Sequence, residues 1–240
     1  MPKIDKSKYT KEQIKKLLEA RRDQKNLQAS ITSNPSLTQI TPHKNKEYGF
    51  VIGNGTSRQH INLNDLKQFG KIYACNAVYR EFDPDYLIAV DVKMIIEINK
   101  NNYQHKNPNV WTNPNKAYKQ ITDLNFFSPS KGWSSGPTAL WLAAQHGYKD
   151  IYILGFDYKG LPGGNKVNNI YAGTDNYKKT TDSATYYGNW LKQTATVIKE
   201  NTNIRFHRVI AQDNFTPDEL NKFSNLKTIY VQDFQKMFGI

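Results

Sequence analysis

The residue types able to do chemistry in this chain collect at two glycine-bearing turns and two aspartates. Ser134-Ser-Gly136 stands immediately before an apolar run. Hydroxyls and free backbone N–H groups there would sit at a helix N-terminus, where the helix dipole favours an anion. Gly53-Asn-Gly55, followed by Thr56, ends another short apolar run. A glycine turn after a strand lets backbone N–H groups approach a phosphate or ribose closely. It is equally an ordinary tight turn, and Arg58 occupies the third glycine position of a dinucleotide fingerprint. Asp157 closes Gly155-Phe-Asp157, and Asp91 ends a third run. Each could be a base, a ribose anchor or a metal ligand, or only a turn residue or helix cap.

Other chemistries lack their residues. His43, His60, His105, His146 and His207 are far apart, and no HxxxH or HExxH pairing exists, which argues against a histidine zinc site. There is no GxSxG elbow and no GxxxxGK[ST] loop, so serine hydrolase and P-loop chemistries are excluded. His146, near a predicted helix end, reads as a surface histidine.

The elements that must position these residues follow from periodicity. Pro137 suits a first helical turn because its missing N–H is not needed there. Ala139 to Ala144 are apolar almost all round, as expected of a helix packed on a sheet, and Gly147 ends it. Ile151–Leu154, Tyr48–Ile52, Ile72–Cys75 and Tyr86–Val90 read as buried strands. They end at Gly155, Gly53, Asn76 and Asp91, four strand ends that could line one crevice of a parallel sheet. Short helices are predicted over Leu63–Phe69 and Val92–Asn99, with a further strand at Phe126-Phe127. Residues 158–182 form a long glycine-, tyrosine- and lysine-bearing loop. It suits a lid over an anion, with Tyr171, Tyr177 and Lys178 as contacts, or an exposed excursion. Asp182 or Ser183 then caps a helix to about Glu200, and Ile204–Ile210 is a strand. Thr216 to Glu219 begins a short helix as a capping box. The last segment packs as a strand or helix edge. The fold class expected is α/β: a mostly parallel sheet with helices on both faces.

The chain has 240 residues and a formal charge of +12, which suggests an anionic partner. Met1 to Asn26 holds nine Lys/Arg against four Asp/Glu. This stretch reads as a basic helical arm, either solvated or docked on a protein or polyanion, and residues 27–46 as a linker. The domain is expected over 47–240. One cysteine, Cys75, excludes an internal disulfide framework. No apolar run approaches the roughly 20 residues of a membrane span, and the N-terminus lacks the apolar core of a signal peptide. A cytoplasmic location is expected. The Asn-, Lys- and Tyr-rich composition also suits a viral protein, in host cytoplasm or a virus particle.

GNGxS, then CNxxY, a strand ending near Asp91, and SSGxxxxxLAxxxGYKxIYILGFDY resemble the bacterial sialyltransferases of glycosyltransferase family 42 over residues 48–200. The pattern is also similar to motility-accessory-factor glycosyltransferases and 6-hydroxymethylpterin diphosphokinases. The resemblance implies a Rossmann-like domain with a lid over a nucleotide-sugar donor, CMP-sugar or other. It puts a nucleotide role on Gly53, Asn54, Gly55, Thr56 and Asn76, on Ser134, Ser135 and Gly136, and on Gly155, Phe156 and Asp157. The sialyltransferases use a histidine beyond the lid as general base, and residues 160–200 contain none. Asp91 stands where they have an amide-type contact. Beside a phosphate a carboxylate repels unless protonated or bridged by a cation, so the diphosphokinase resemblance implies Mg²⁺ on Asp91 and Asp157.

The leading expectation is a nucleotide-dependent transferase, with Asp157, Asp91, Tyr177 and Lys178 as catalytic candidates. The alternatives are a non-catalytic, transferase-like assembly protein anchored by its basic arm, and a Mg²⁺-dependent diphosphokinase.

Overall fold

The computed structural model describes residues 48–161, 165–212 and 215–240; the basic arm and linker lie outside the described residues. Eight strands form one all-parallel sheet. They are β1 (Tyr48–Ile52), β2 (Gly70–Cys75), β3 (Tyr86–Ile88), β4 (Val110–Thr112), β5 (Asn125–Phe126), β6 (Asp150–Leu154), β7 (Arg205–Ile210) and β8 (Leu226–Tyr230). Their order is β5-β4-β3-β2-β1-β6-β7-β8. The chain therefore builds outward from β1 to one edge, then returns to the other side of β1 and builds to the opposite edge. The reversal lies between β1 and β6, paired in parallel from Tyr48↔Asp150 to Ile52↔Leu154.

Alternation along the central strands divides the core in two. Phe50 and Ile52 of β1 pack with Ile72, Leu87 and Tyr152 on one face. Val51 packs with Tyr73, Ile88 and Ile153 on the other. Helices cover both faces, which is why the central strands carry near-continuous apolar runs. The helices are α1 (Leu63–Leu66), α2 (Val92–Lys100), α3 (Tyr103–Lys106), α4 (Ser135–Gln145), α5 (Gly188–Glu200), α6 (Asp218–Asn221) and α7 (Val231–Phe238). Met94, Ile95 and Ile98 of α2 and Phe234 and Phe238 of α7 join the first core. Leu140 and Ala143 of α4 join the second with Leu191 and Val197 of α5. The Rossmann-like α/β fold expected from the sequence is the fold observed.

Local departures have local causes. Helix α5 starts at Gly188, beyond Asp182 and Ser183. The Asp182 carboxylate instead accepts from the Lys179 N–H (2.9 Å), and its carbonyl accepts from the Val167 N–H (3.2 Å). Thr216 does not cap α6, whose N-cap is Pro217; its hydroxyl accepts from Arg208 Nη1 (3.4 Å). The C-terminal segment is both a strand and a helix, β8 and α7. His146 is buried, its Nδ1 hydrogen-bonded to the Tyr73 hydroxyl.

The β1 and β6 ends approach so closely that side chains are excluded. A Cβ on Gly155, where φ is +70°, would lie 2.8 Å from the Gly53 carbonyl oxygen. Gly132 has a similar φ of +66° but nothing within 4 Å. Gly132→Ala should therefore cost only left-handed backbone strain, about 1–2 kcal/mol. Gly155→Ala should add steric overlap, for about 2–5 kcal/mol in all. Urea unfolding midpoints compare the two, and equal losses would remove the close-approach account.

Candidate functional site

A crevice of about 390 Å³ opens at the C-terminal ends of the strands around the β1/β6 reversal. Open α/β sheets bind ligands there because the chain departs to opposite sides and leaves a gap. Gly53, Asn54 and Gly55 line it after β1, and Gly155, Phe156 and Asp157 after β6. Asn76 after β2, Asp91 beyond β3, and Ser134, Ser135 and Gly136 at the start of α4 complete the inner wall. Tyr177 and Lys178 approach from the long loop. Thr56 is not in the lining; its N–H and hydroxyl donate to Asn168 Oδ1 at 2.9 and 2.8 Å.

The glycine turn works differently from a phosphate cradle. The Gly53 N–H donates to the Leu154 carbonyl (2.8 Å) and the Gly55 N–H to the Gly155 carbonyl (2.9 Å). These donors join the two strand ends, so they do not face an anion. Arg58, which replaces the third glycine, is buried and donates from Nε to the Gly53 carbonyl (2.6 Å) and from Nη2 to the Tyr171 hydroxyl (3.1 Å). The arginine straps the turn to the long loop.

The open donors are at α4. Ser134 is the N-cap, but its side chain makes no capping hydrogen bond, so the first-turn N–H groups keep their capacity for an external acceptor. Ser135 Oγ accepts from the Val90 N–H (3.1 Å) and donates to Asn76 Oδ1 (2.8 Å). This chain of bonds ties the ends of β2 and β3 to the helix and holds Asn76 in a left-handed conformation with φ 55°. A buried polar atom also awaits a partner: Asn54 is 8% exposed and its Oδ1 has none. Its Nδ2 donates to the Tyr177 hydroxyl (3.1 Å), which also accepts from the Ala77 N–H (3.3 Å). Burial raises the Tyr177 pKa, with Cys75 adding to the effect. The phenol therefore stays protonated and can present a donor, not a base.

The two aspartates have different surroundings. Asp157 is buried and accepts from the Ser57 N–H (3.1 Å) and the Ser57 hydroxyl. Asp91 is exposed at the crevice wall, and its carboxylate does not cap α2. Each Asp157 oxygen accepts one hydrogen bond from Ser57, which leaves a second lone pair on each for a cation. Among the described residues no group of three or more His, Cys, Asp or Glu could hold a metal ion. Magnesium commonly takes one or two protein carboxylates beside substrate phosphates, so Asp91 and Asp157 would hold it only together with a bound phosphate. Cys75 also lines the crevice; burial pushes its thiol pKa up to about 12, so it remains protonated and donates to the Ile52 carbonyl (3.3 Å). No described histidine lines the crevice.

The long loop is docked over the opening. The Ile170 N–H donates to the Asn54 carbonyl (2.8 Å). Arg80 reaches Thr174 Oγ1 (2.7 Å) and the Asp175 carbonyl (2.9 Å) while forming a two-point pair with Glu97 at 2.6 and 2.8 Å. Asn176 Nδ2 also donates to Glu97 (2.6 Å). Glu97 is thus the anchor of the lid. Burial alone would raise its pKa, but hydrogen bonds from Arg80, Tyr79 and Asn176 outweigh that and lower it.

Several residues of the site carry no readable signal in the sequence. Arg208, 2% exposed, donates from Nε to the Phe156 carbonyl (3.0 Å) and from Nη2 to the Phe215 carbonyl (2.8 Å). It supports the β6 turn from behind and leaves a positive charge beneath the crevice floor. Burial lowers its pKa. Its place in an edge-side strand resembles that of any surface arginine, and only the neighbouring carbonyls distinguish it. Tyr187 and Trp190, which line the outer crevice, read in the sequence only as part of a helix.

No protein-family model matches the chain, and neither a curated protein nor a solved structure does so.

A depressed carboxylate pKa contributes stability above its unfolded value that is lost as pH falls through its folded value. The lid should therefore loosen in acid as Glu97 protonates, below the usual carboxylate range. At neutral pH Glu97→Ala should lower the local opening free energy of residues 171–178 by about 1–3 kcal/mol. Amide exchange resolves both effects, and unchanged protection in the variant would show that Glu97 does not hold the lid.

Proposed function

We propose that this crevice binds a nucleotide and that the protein is a nucleotide-dependent transferase, a glycosyltransferase acting on a nucleotide-sugar donor. One observation carries the reading. The uncapped start of α4 opens into the crevice at the β1/β6 reversal, under a lid that contributes Lys178 and the Tyr177 hydroxyl. Donors, helix dipole and lysine converge on one volume, as an anionic phosphate requires. The crevice is also of the size that encloses a small ligand. The motif resemblance to family 42 sialyltransferases points the same way.

In the transferase reading, an acceptor hydroxyl oxygen forms a bond to the anomeric carbon of the donor. The bond from that carbon to the phosphate oxygen breaks, and the nucleotide leaves with the electron pair. Lys178 and Tyr177 are the groups that would stabilise the leaving phosphate. Asp91 would take the proton of the acceptor hydroxyl, because Asp157 is held by Ser57.

A second reading has its own support. The crevice has no histidine among its described residues and only one exposed aspartate. A fold that binds the nucleotide without turning it over, with the basic segment 1–26 engaging a polyanion or protein partner, also fits. Mg²⁺-dependent diphosphate transfer has less support, because Asp157 already accepts two hydrogen bonds from Ser57 and only Asp91 is exposed.

Thermal melting against CMP, UDP and GDP sugars and ATP, with and without Mg²⁺, tests nucleotide binding. A ligand at about a hundred times its Kd should stabilise the fold by about 3 kcal/mol. No shift with any nucleotide would refute both nucleotide readings; a shift without turnover of any donor would favour the second. Ser134→Asp gives a sharper test. Its carboxylate should cap α4 and raise stability by about 0.5–1 kcal/mol while repelling phosphate. Higher Tm with lost nucleotide stabilisation is expected, and retained stabilisation would remove the α4 anion site.

A further inference from the structure

The crevice has two unlike ends. Its inner end is the enclosed polar wall of strand ends and α4. Its outer end is aromatic and open: Tyr187 and Trp190 line it, Trp190 being 39% exposed, and Tyr186, 73% exposed, adjoins the lining through Tyr187. Large aromatic side chains left in water beside a pocket call for an explanation. Tyr186 and Tyr187 are held in place. The Tyr186 ring stacks on Tyr187 with centroids 5.9 Å apart and planes at 27°. Tyr187 meets Phe215 edge-on at 6.1 Å, and the Lys159 ammonium lies 5.7 Å from the Phe215 ring centre. At Gly188, the first residue of α5, an added Cβ would collide with the Tyr186 phenol. The absence of a side chain there lets the ring fold back over the helix start.

We propose that Tyr186, Tyr187 and Trp190 form the acceptor subsite, a platform for a carbohydrate whose pyranose ring lays its C–H face on the aromatic surface. This rests on the transferase reading of the same crevice. A pyranose presents C–H groups on one face and hydroxyls around its rim. An aromatic surface with polar neighbours matches that division. Thr185 and Lys159 also line the crevice and supply the rim contacts. A nucleobase, being flat and apolar on both faces, is better matched by the enclosed space beside Phe156 and Val167, both buried in the lining. An acceptor that must enter and leave on each cycle suits the open end. The subsite also gives the acceptor hydroxyl a path toward the inner end, where the phosphate would be held.

Lactose, maltose and N,N′-diacetylchitobiose, titrated into the full chain while the indole N–H resonances are followed by NMR, test the platform. At least one of them should shift the Trp190 resonance saturably while Trp133 stays in place. Tyr186→Ala should weaken that binding about tenfold, a loss of about 1.4 kcal/mol. Gly188→Ala should weaken it in the same direction by displacing the Tyr186 ring without removing it. Melting with the stabilising nucleotide from the donor screen shows that each variant is folded, and the shift for Tyr186→Ala should equal that of the unaltered chain.

Three results would overturn the subsite: no disaccharide moves Trp190, Tyr186→Ala binds as tightly as the unaltered chain, or a nucleotide rather than a saccharide moves Trp190. In each case a retained nucleotide melting shift leaves the transferase reading standing. Saccharide binding with no nucleotide shift would reject the transferase reading and leave the platform.

Discussion

The contact on which the rest depends is between two stretches of backbone. The Gly53 and Gly55 N–H groups donate to the Leu154 and Gly155 carbonyls across the β1/β6 reversal, and neither turn has room for a Cβ at the contact. This closure brings the two strand ends to one depth and makes the floor of the crevice. It also explains why the glycines are there. Their N–H groups are consumed in joining the strands, so the turn supports the site while α4 supplies donors to it. Arg208 strengthens the arrangement by satisfying the Phe156 carbonyl from beneath, where an unpaired buried carbonyl would be costly.

Electrostatics then divide the crevice. The α4 N-terminus, Lys178 and the buried Arg208 favour negative charge, while the Asp157 carboxylate is turned to Ser57. Asp91 is the exception, an exposed carboxylate on the same wall. In the proposed transferase, a carboxylate near the donor phosphate is unfavourable unless it has a task, and taking the proton of a neutral acceptor is the task proposed for Asp91.

The long loop is held both by apolar contacts, with Tyr171 in the first core and Ile170 and Tyr177 packed against it, and by charged anchors. Arg58 links the glycine turn to Tyr171, and Arg80 with Glu97 links the 174–176 segment to α2.

Much of this was legible in the sequence. Near-continuous apolar strands separated by helices imply a parallel sheet covered on both faces, and the four strand ends at Gly53, Asn76, Asp91 and Gly155 imply a common crevice. Those inferences hold because burial on both faces and the change of period at each turn are local properties. What the sequence left undecided depends on which atoms meet across long separations. Residue type alone did not reveal that Asp157 binds Ser57, that Arg58 straps a turn, that Arg208 is buried under the floor, or that Thr216 serves a guanidinium instead of a helix. The start of α5 moved for the same reason, because Asp182 found partners within the lid. The sequence by itself determined the sheet and the place of the crevice. Only the tertiary structure decided which polar groups remain free to act, because a hydrogen-bonding group is used or available according to its neighbours in space.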